Sequence, residues 1–310
     1  MLQDPPLRRR SVQAATLLLS GAITGAFLTT GAVVPAADAA PPAVAQAPLA
    51  QQIQPTTLPA EEAALLPQAA TGREVSALVQ RLERKHGALI SVAVLPVGST
   101  ATPWQTGRLK NAAAWSTSKV PVAIAAQRKY PRGAKTRARM RAAITASDNA
   151  AAEELFRSLG TSRQAAAATT AVIRAGGDRH TVVPSVRKRR GYTIFGQTGW
   201  SPANQARFTA SLPCRGDAAS TLSLMGQVRS DQRWGLGSIR GARFKGGWGP
   251  ERNGRYTVRQ LGVVTVKGQR LAVVIVVANV GYATGVGITT QLAKQVAARP
   301  PKLATPARRC

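Results

Sequence analysis

From residue 73 onward the apolar positions change period along the chain. Val75, Leu78, Val79 and Leu82 recur at intervals of three and four, which gathers them on one face of an α-helix, and Gly87 follows Arg84-Lys85-His86 as a natural stop. A helix over 73–86 is predicted. Ala88 to Val97 is rich in Ile and Val and alternates imperfectly, which predicts a strand, with Trp104 to Leu109 as its hairpin partner. From about 116 to 237 the chain is alanine-rich and helical in pattern, broken by the turn Gly176-Gly177-Asp178 and by an irregular basic run from His180 to Gly191. A period of two then returns. Ala242 to Trp248, Arg255 to Lys267 and Gln269 to Val280 read as strands, with turn signals at Asn253-Gly254 and Lys267-Gly268. Ile288 to Ala298 closes the pattern as an amphipathic helix before Pro300-Pro301. The predicted class is α/β (α+β): an antiparallel sheet with flanking N- and C-terminal helices and an inserted helical subdomain, with neither an internal repeat nor a second core.

The segments outside this pattern have a different texture. Arg8-Arg9-Arg10 precedes an apolar stretch, Ser11 to Val34, and Ala37-Asp38-Ala39 offers a small-residue cleavage site, so residues 1–39 read as a secretory signal peptide or, if uncleaved, a membrane anchor. Residues 40–70, rich in Pro, Ala and Gln, read as a flexible linker. The folded domain is expected over 71–300, with a basic tail over 301–310. These boundaries imply an extracytoplasmic protein, secreted or membrane-tethered.

Charge narrows the class of partner. The 310 residues carry a formal net charge of +29; three arginines and two aspartates lie within residues 1–39, so the remainder keeps +28. Such a polycation is drawn to anionic polymers, and export points to those of a bacterial envelope. Nucleic acid is the weaker partner, because the aromatics are not interleaved with the basic runs as a base-stacking surface requires. Two cysteines, Cys214 and Cys310, and two histidines, His86 and His180, are too scattered for a zinc site, so no metal or cofactor is expected. The cysteines have the option of pairing with each other in an oxidising compartment.

Chemistry concentrates in three short stretches. In Ser116-Thr117-Ser118-Lys119, a helix beginning at the serine brings hydroxyl and amine to one face, one turn apart. An amine in a dry site loses proton affinity and becomes able to take the hydroxyl proton. Ser147-Asp148-Asn149 precedes a helical segment, and Lys245-Gly246-Gly247 lies on the first C-terminal strand. In order and context these match the S-x-x-K, S-D-N and K-T-G set of penicillin-recognising serine enzymes. The chain from about Arg73 to Ala298 resembles the serine β-lactamase and penicillin-binding protein (D,D-peptidase) superfamily, most closely its class A branch, also through the segment MRAAITASDNAAAEEL.

The resemblance implies an acyl-transfer site. Ser116 would be the nucleophile, Lys119 its base, and Ser147, assisted by Lys245, the proton donor to the leaving nitrogen. Asn149 would orient the substrate amide. Gly246, Gly247 and Trp248 would line the substrate strand, with the N–H groups of Ser116 and Trp248 as the oxyanion hole. The implied function is an exported serine acyl-hydrolase acting on a D-alanyl peptide of peptidoglycan, a β-lactam or a related amide. The alternatives are a wall-binding module of the same fold and a true class A-like β-lactamase.

Three departures bear on that choice. Class A enzymes hydrolyse the acyl-enzyme with a loop glutamate, whereas Leu155 to Lys245 contains only Asp178, Asp217 and Asp231. Asp178 sits in the structural turn. Gly246 replaces the usual hydroxyl residue, a loss that Arg243 or Arg259 is placed to offset by binding a substrate carboxylate. Only 31 residues separate Ser116 from Ser147, so the helical subdomain is shortened. Gln197, Trp200 and Trp234 are candidates either to line the cleft or to fill the core, and the core is the favoured place.

Overall fold

The computed structural model describes residues 72–303. The signal or anchor segment, the linker and most of the basic tail lie outside the described residues, as does Cys310; Cys214 is not a free thiol.

Helix α1 (Arg73–His86) buries the four predicted apolar positions and ends at Gly87 with φ 61°, a left-handed cap that glycine adopts without a Cβ penalty. It leads into β1 (Leu89–Pro96), which pairs with the short β2 (Trp104–Thr106) on one side. The remaining strands of the sheet come from the far end of the chain: β5 (Arg243–Pro250), β6 (Tyr256–Val266) and β7 (Gln269–Val280). The order is β2-β1-β7-β6-β5, antiparallel throughout, which leaves β5 as an edge strand.

The central strand β7 explains why its sequence is nearly all apolar. Leu271, Val273, Ile275 and Val277 face the layer formed by α1 and the last helix, whereas Ala272, Val274, Val276 and Ala278 face the helical insert. A strand covered on both faces loses the polar alternation of a half-exposed one.

That last helix, α8, spans Tyr282–Ala298 and so begins earlier than its periodicity announces. The missed turn contains Gly285, where a Cβ would lie 2.7 Å from Val258 Cγ2. The helix approaches the sheet so closely that an apolar side chain there has no room. The periodic signal is missing for that steric reason.

The insert consists of α2 (Lys119–Lys129), α3 (Ala134–Thr145), α4 (Asn149–Ser158), α5 (Ser162–Ala175), α6 (Pro202–Ser211) and α7 (Ala219–Met225). A two-stranded ribbon joins it to the sheet, with β3 (Ala112–Ala113) against β4 (Gly199–Trp200). Two residues per strand are too few to announce themselves in sequence. Trp200 and Trp234 are buried, as expected. Gln197 is instead half-buried and works as a hub: its side chain accepts from Arg189 N and donates to the carbonyls of Arg189, Tyr192 and Thr193.

The edge strand crosses the start of the insert at close range. A Cβ on Gly249 would lie 2.4 Å from the ring of Trp115. Gly249→Ala is therefore expected to lower stability by about 1–3 kcal/mol, the cost of overpacking a filled site. Urea unfolding reads this as a lower midpoint; an unchanged midpoint contradicts the close packing of Trp115 on β5.

Candidate active site

Ser116 lies one step earlier in the fold than the helical pattern implies. Residues Trp115–Ser118 form a 3₁₀ turn, and α2 starts only at Lys119. Side chains three apart eclipse one another in a 3₁₀ turn, so Ser116 and Lys119 still project to one side. Trp115, just before the serine, has φ 47°, a left-handed conformation costly for a bulky residue. Thr117 and Ser118 return their hydroxyls to the carbonyls of Ala114 and Trp115 and lock the turn. The Ser116 hydroxyl is half-buried and makes no hydrogen bond to a described residue.

The Lys119 amine reaches across the cleft. It donates to the carbonyl and the hydroxyl oxygen of Ser147 and to Asn149 Oδ1, the last at 2.7 Å. Three N–H donors thus meet three acceptors, the shell of a protonated amine. Ser147 presents both of its oxygens to the site because its φ is 57°, which turns its carbonyl inward between α3 and α4. Asp148 takes no part in this shell; it caps α4 by accepting from Ala151 N at 2.8 Å.

Lys245 approaches the same hydroxyl from β5. Its Nζ lies 2.8 Å from Ser147 Oγ and 2.9 Å from its neighbour's carbonyl, Gly246 O. Two ammonium groups therefore share one serine hydroxyl. Both are buried, at 1% and 0% exposure, and neither forms an ion pair with a described carboxylate. Burial pushes the Lys119 pKa from 10.5 down to about 7, against the smaller opposing pull of Asp148 and Glu153. Burial, then repulsion from Lys119, pushes Lys245 well below its ordinary value.

The third motif works through its backbone. A Cβ on Gly247 would lie 2.8 Å from the amide nitrogens of both Ser116 and Thr117, so glycine is what lets β5 close on the Ser116 turn. At Gly246 a Cβ would point the other way, 3.3 Å from the Trp234 ring. The missing hydroxyl is thus replaced by an indole on the α8 face. Trp248 projects to that same face, with its ring centroid 6.1 Å from that of Trp234 and 5.6 Å from that of Tyr282.

The arginine expected to offset Gly246 has another occupation. Arg259 is 0% exposed and gives its Nη donors to the carbonyls of Ala112, Ala113 and Trp200 and to Gln205 Oε1, while its Nε has no partner among the described residues. Those bonds hold the guanidinium within the core. Arg243 remains exposed at the start of β5.

The basic run forms part of the rim. Arg187 pairs with Glu153 of α4 at 3.9 Å, whereas Arg189 donates to Pro250 O at the end of β5 and lies over the rings of Tyr192 and Trp115. The loop between these anchors contains no carboxylate from His180 to Trp200. Asp178 is confirmed as structural: it accepts from the backbone of His180 and Thr181 and from Trp200 Nε1. Reading the sequence alone missed Glu153, which sits one helical turn after Asn149, and the connections of Arg259, which join residues more than fifty positions apart.

No family model matches the chain, and no curated protein matches it in sequence. Solved structures do match in shape. An extended-spectrum β-lactamase, TLA-3, is 14% identical with a TM-score of 0.59, covering 72% of this chain and 97% of its own. A β-lactamase from Chitinophaga pinensis is 17% identical with a TM-score of 0.58, covering 71% and 97%. The putative class A β-lactamase PenP from Rhodopseudomonas palustris is 20% identical with a TM-score of 0.56, covering 73% and 99%. Likeness at such identities concerns architecture, and on that ground the chain has the fold of these β-lactamases.

Proposed function

We propose that this protein is an exported serine acyl-transfer enzyme, acylated at Ser116 by a D-alanyl peptide, a β-lactam or a related amide. The observation that carries the reading is the Ser147 hydroxyl held between two buried amines, one of them from Lys119, three residues after Ser116. Neutral Lys119 takes the Ser116 proton as Oγ bonds to the substrate carbonyl carbon. The carbonyl electron pair moves to oxygen, facing the N–H groups of Ser116 and Trp248. Collapse re-forms the carbonyl and breaks the C–N bond, and Ser147 gives its proton to the leaving nitrogen. Ser147 then recovers a proton from one of the two amines. Asn149, Gly246 and Gly247 hold the substrate strand in this scheme.

The missing loop carboxylate favours a long-lived acyl-enzyme over rapid β-lactam turnover. That sets the protein nearer to a penicillin-binding enzyme than to an efficient β-lactamase. Exposed Lys188 and Arg190 at the rim suit an anionic envelope polymer as the carrier of the substrate. Among the described residues no helix is long and apolar enough to cross a membrane.

Incubation with a fluorescent penicillin is expected to leave one covalent label, absent in Ser116→Ala. An unlabelled wild type that still binds isolated cell wall would instead identify a binding module, and rapid nitrocefin turnover would identify a true β-lactamase. Lys119→Gln should slow labelling on the order of 10²–10⁴-fold, the usual loss of a general base. The labelling rate should rise as pH passes about 7, because Lys119 then loses its proton. Stability should rise over the same range: the unfolded chain keeps that proton up to about 10.5, the native state releases it near 7, and the state binding fewer protons gains as pH increases. A flat rate profile between pH 6 and 9, or a urea midpoint that falls from pH 7 to 9, contradicts Lys119 as the base.

A further inference from the structure

Among the described residues, Arg259 is the one fully buried cation that the proposed reaction does not use. It lies on β6 directly opposite Gly247, so it sits beneath the strand that closes on the nucleophile. Its partners are three backbone carbonyls and an amide oxygen, with no carboxylate among them. Burial lowers its pKa to about 9, which leaves it charged at neutral pH. A buried cation among neutral acceptors is costly, and an apolar side chain of similar volume fills a core with less penalty.

The positions of those partners suggest what is gained. The carbonyls of Ala112 and Ala113 belong to β3 and that of Trp200 to β4, so one guanidinium holds both strands of the ribbon that delivers the chain to Trp115 and Ser116. The fourth partner begins a relay. Arg259 Nη2 donates to Gln205 Oε1, Gln205 Nε2 donates to Thr117 Oγ1 at 3.0 Å, and Thr117 Oγ1 donates to Ala114 O. Every bond points the same way, so each polarises the next. The relay ends on both sides of Ser116, at residues 114 and 117.

We propose that Arg259, acting through Gln205 and Thr117, is a positioning residue that holds the nucleophile turn, with Trp115 in its left-handed conformation and the Ser116 N–H aimed into the cleft. This inference rests on the acyl-transfer reading for its kinetic readout. The turn it braces carries an oxyanion donor, and a displacement of about 1 Å there costs on the order of 10²-fold in rate.

Gln205→Glu separates positioning from folding. The carboxylate strengthens the tie to Arg259 yet has no N–H to give Thr117, so the core keeps its ion while the relay breaks. The expected result is an unfolding midpoint equal to or above that of the wild type, with penicillin labelling of Ser116 slowed at least tenfold and amide exchange over residues 112–119 accelerated. Arg259→Lys keeps the charge and should retain more labelling than Arg259→Met at matched fractions folded. Wild-type labelling and exchange in Gln205→Glu would overturn the proposal. If the wild-type protein takes no label, the acyl-transfer reading fails by itself, and the exchange rates of residues 112–119 still decide the positioning claim: faster in Gln205→Glu supports it, unchanged overturns it.

Discussion

Two buried ammonium groups on one serine hydroxyl form the interaction around which the described domain is arranged. Lys119 and Lys245 come from opposite sides of the cleft, one from the insert and one from the sheet, and meet at Ser147. Placing two like charges in a dry site is unfavourable, and the response of such groups is to lose protons. Burial lowers both, the nearness of Lys119 pushes Lys245 further down, and the pull of Asp148 and Glu153 on Lys119 is too small to reverse its shift. The fold spends stability here to hold an amine that is partly neutral near physiological pH.

Several local strains serve that arrangement. The left-handed Ser147 turns a carbonyl toward Lys119, and the left-handed Trp115 precedes Ser116. Two glycines of β5 allow the edge strand to approach where any side chain would collide, Gly247 with the Ser116 turn and Gly249 with the Trp115 ring. Backbone in costly conformations persists only where its surroundings leave no alternative. The rim loop supplies part of that constraint by fastening Arg189 to Pro250 and stacking it over Tyr192 and Trp115.

Much of this was legible before any coordinates. The apolar period of α1, the alternation of β5, β6 and β7 and the glycine at residue 87 are local signals, because each follows from which face of an element is buried. The three motifs were legible as residue types at fixed spacing. What stayed hidden depends on approach between distant segments. The first turn of α8 lacks apolar periodicity because Gly285 must clear Val258, and the ribbon of β3 and β4 is two residues long. The sequence offers Arg259 beside Arg243 as a partner for a substrate carboxylate, since an arginine in a strand gives no sign of whether its donors meet solvent or carbonyls. The bond from Lys119 to the carbonyl oxygen of Asn149, thirty residues away, is a further link that spacing does not announce.

The most direct test of the central claim is the titration of Lys119 itself, followed by NMR of isotopically labelled lysine side chains and assigned by comparison with Lys119→Gln. The account predicts an amine that releases its proton near pH 7, well below the ordinary lysine value of 10.5. A Lys119 signal that stays protonated beyond pH 9 would contradict a depressed amine at the cleft, and with it the chemistry assigned to Ser116.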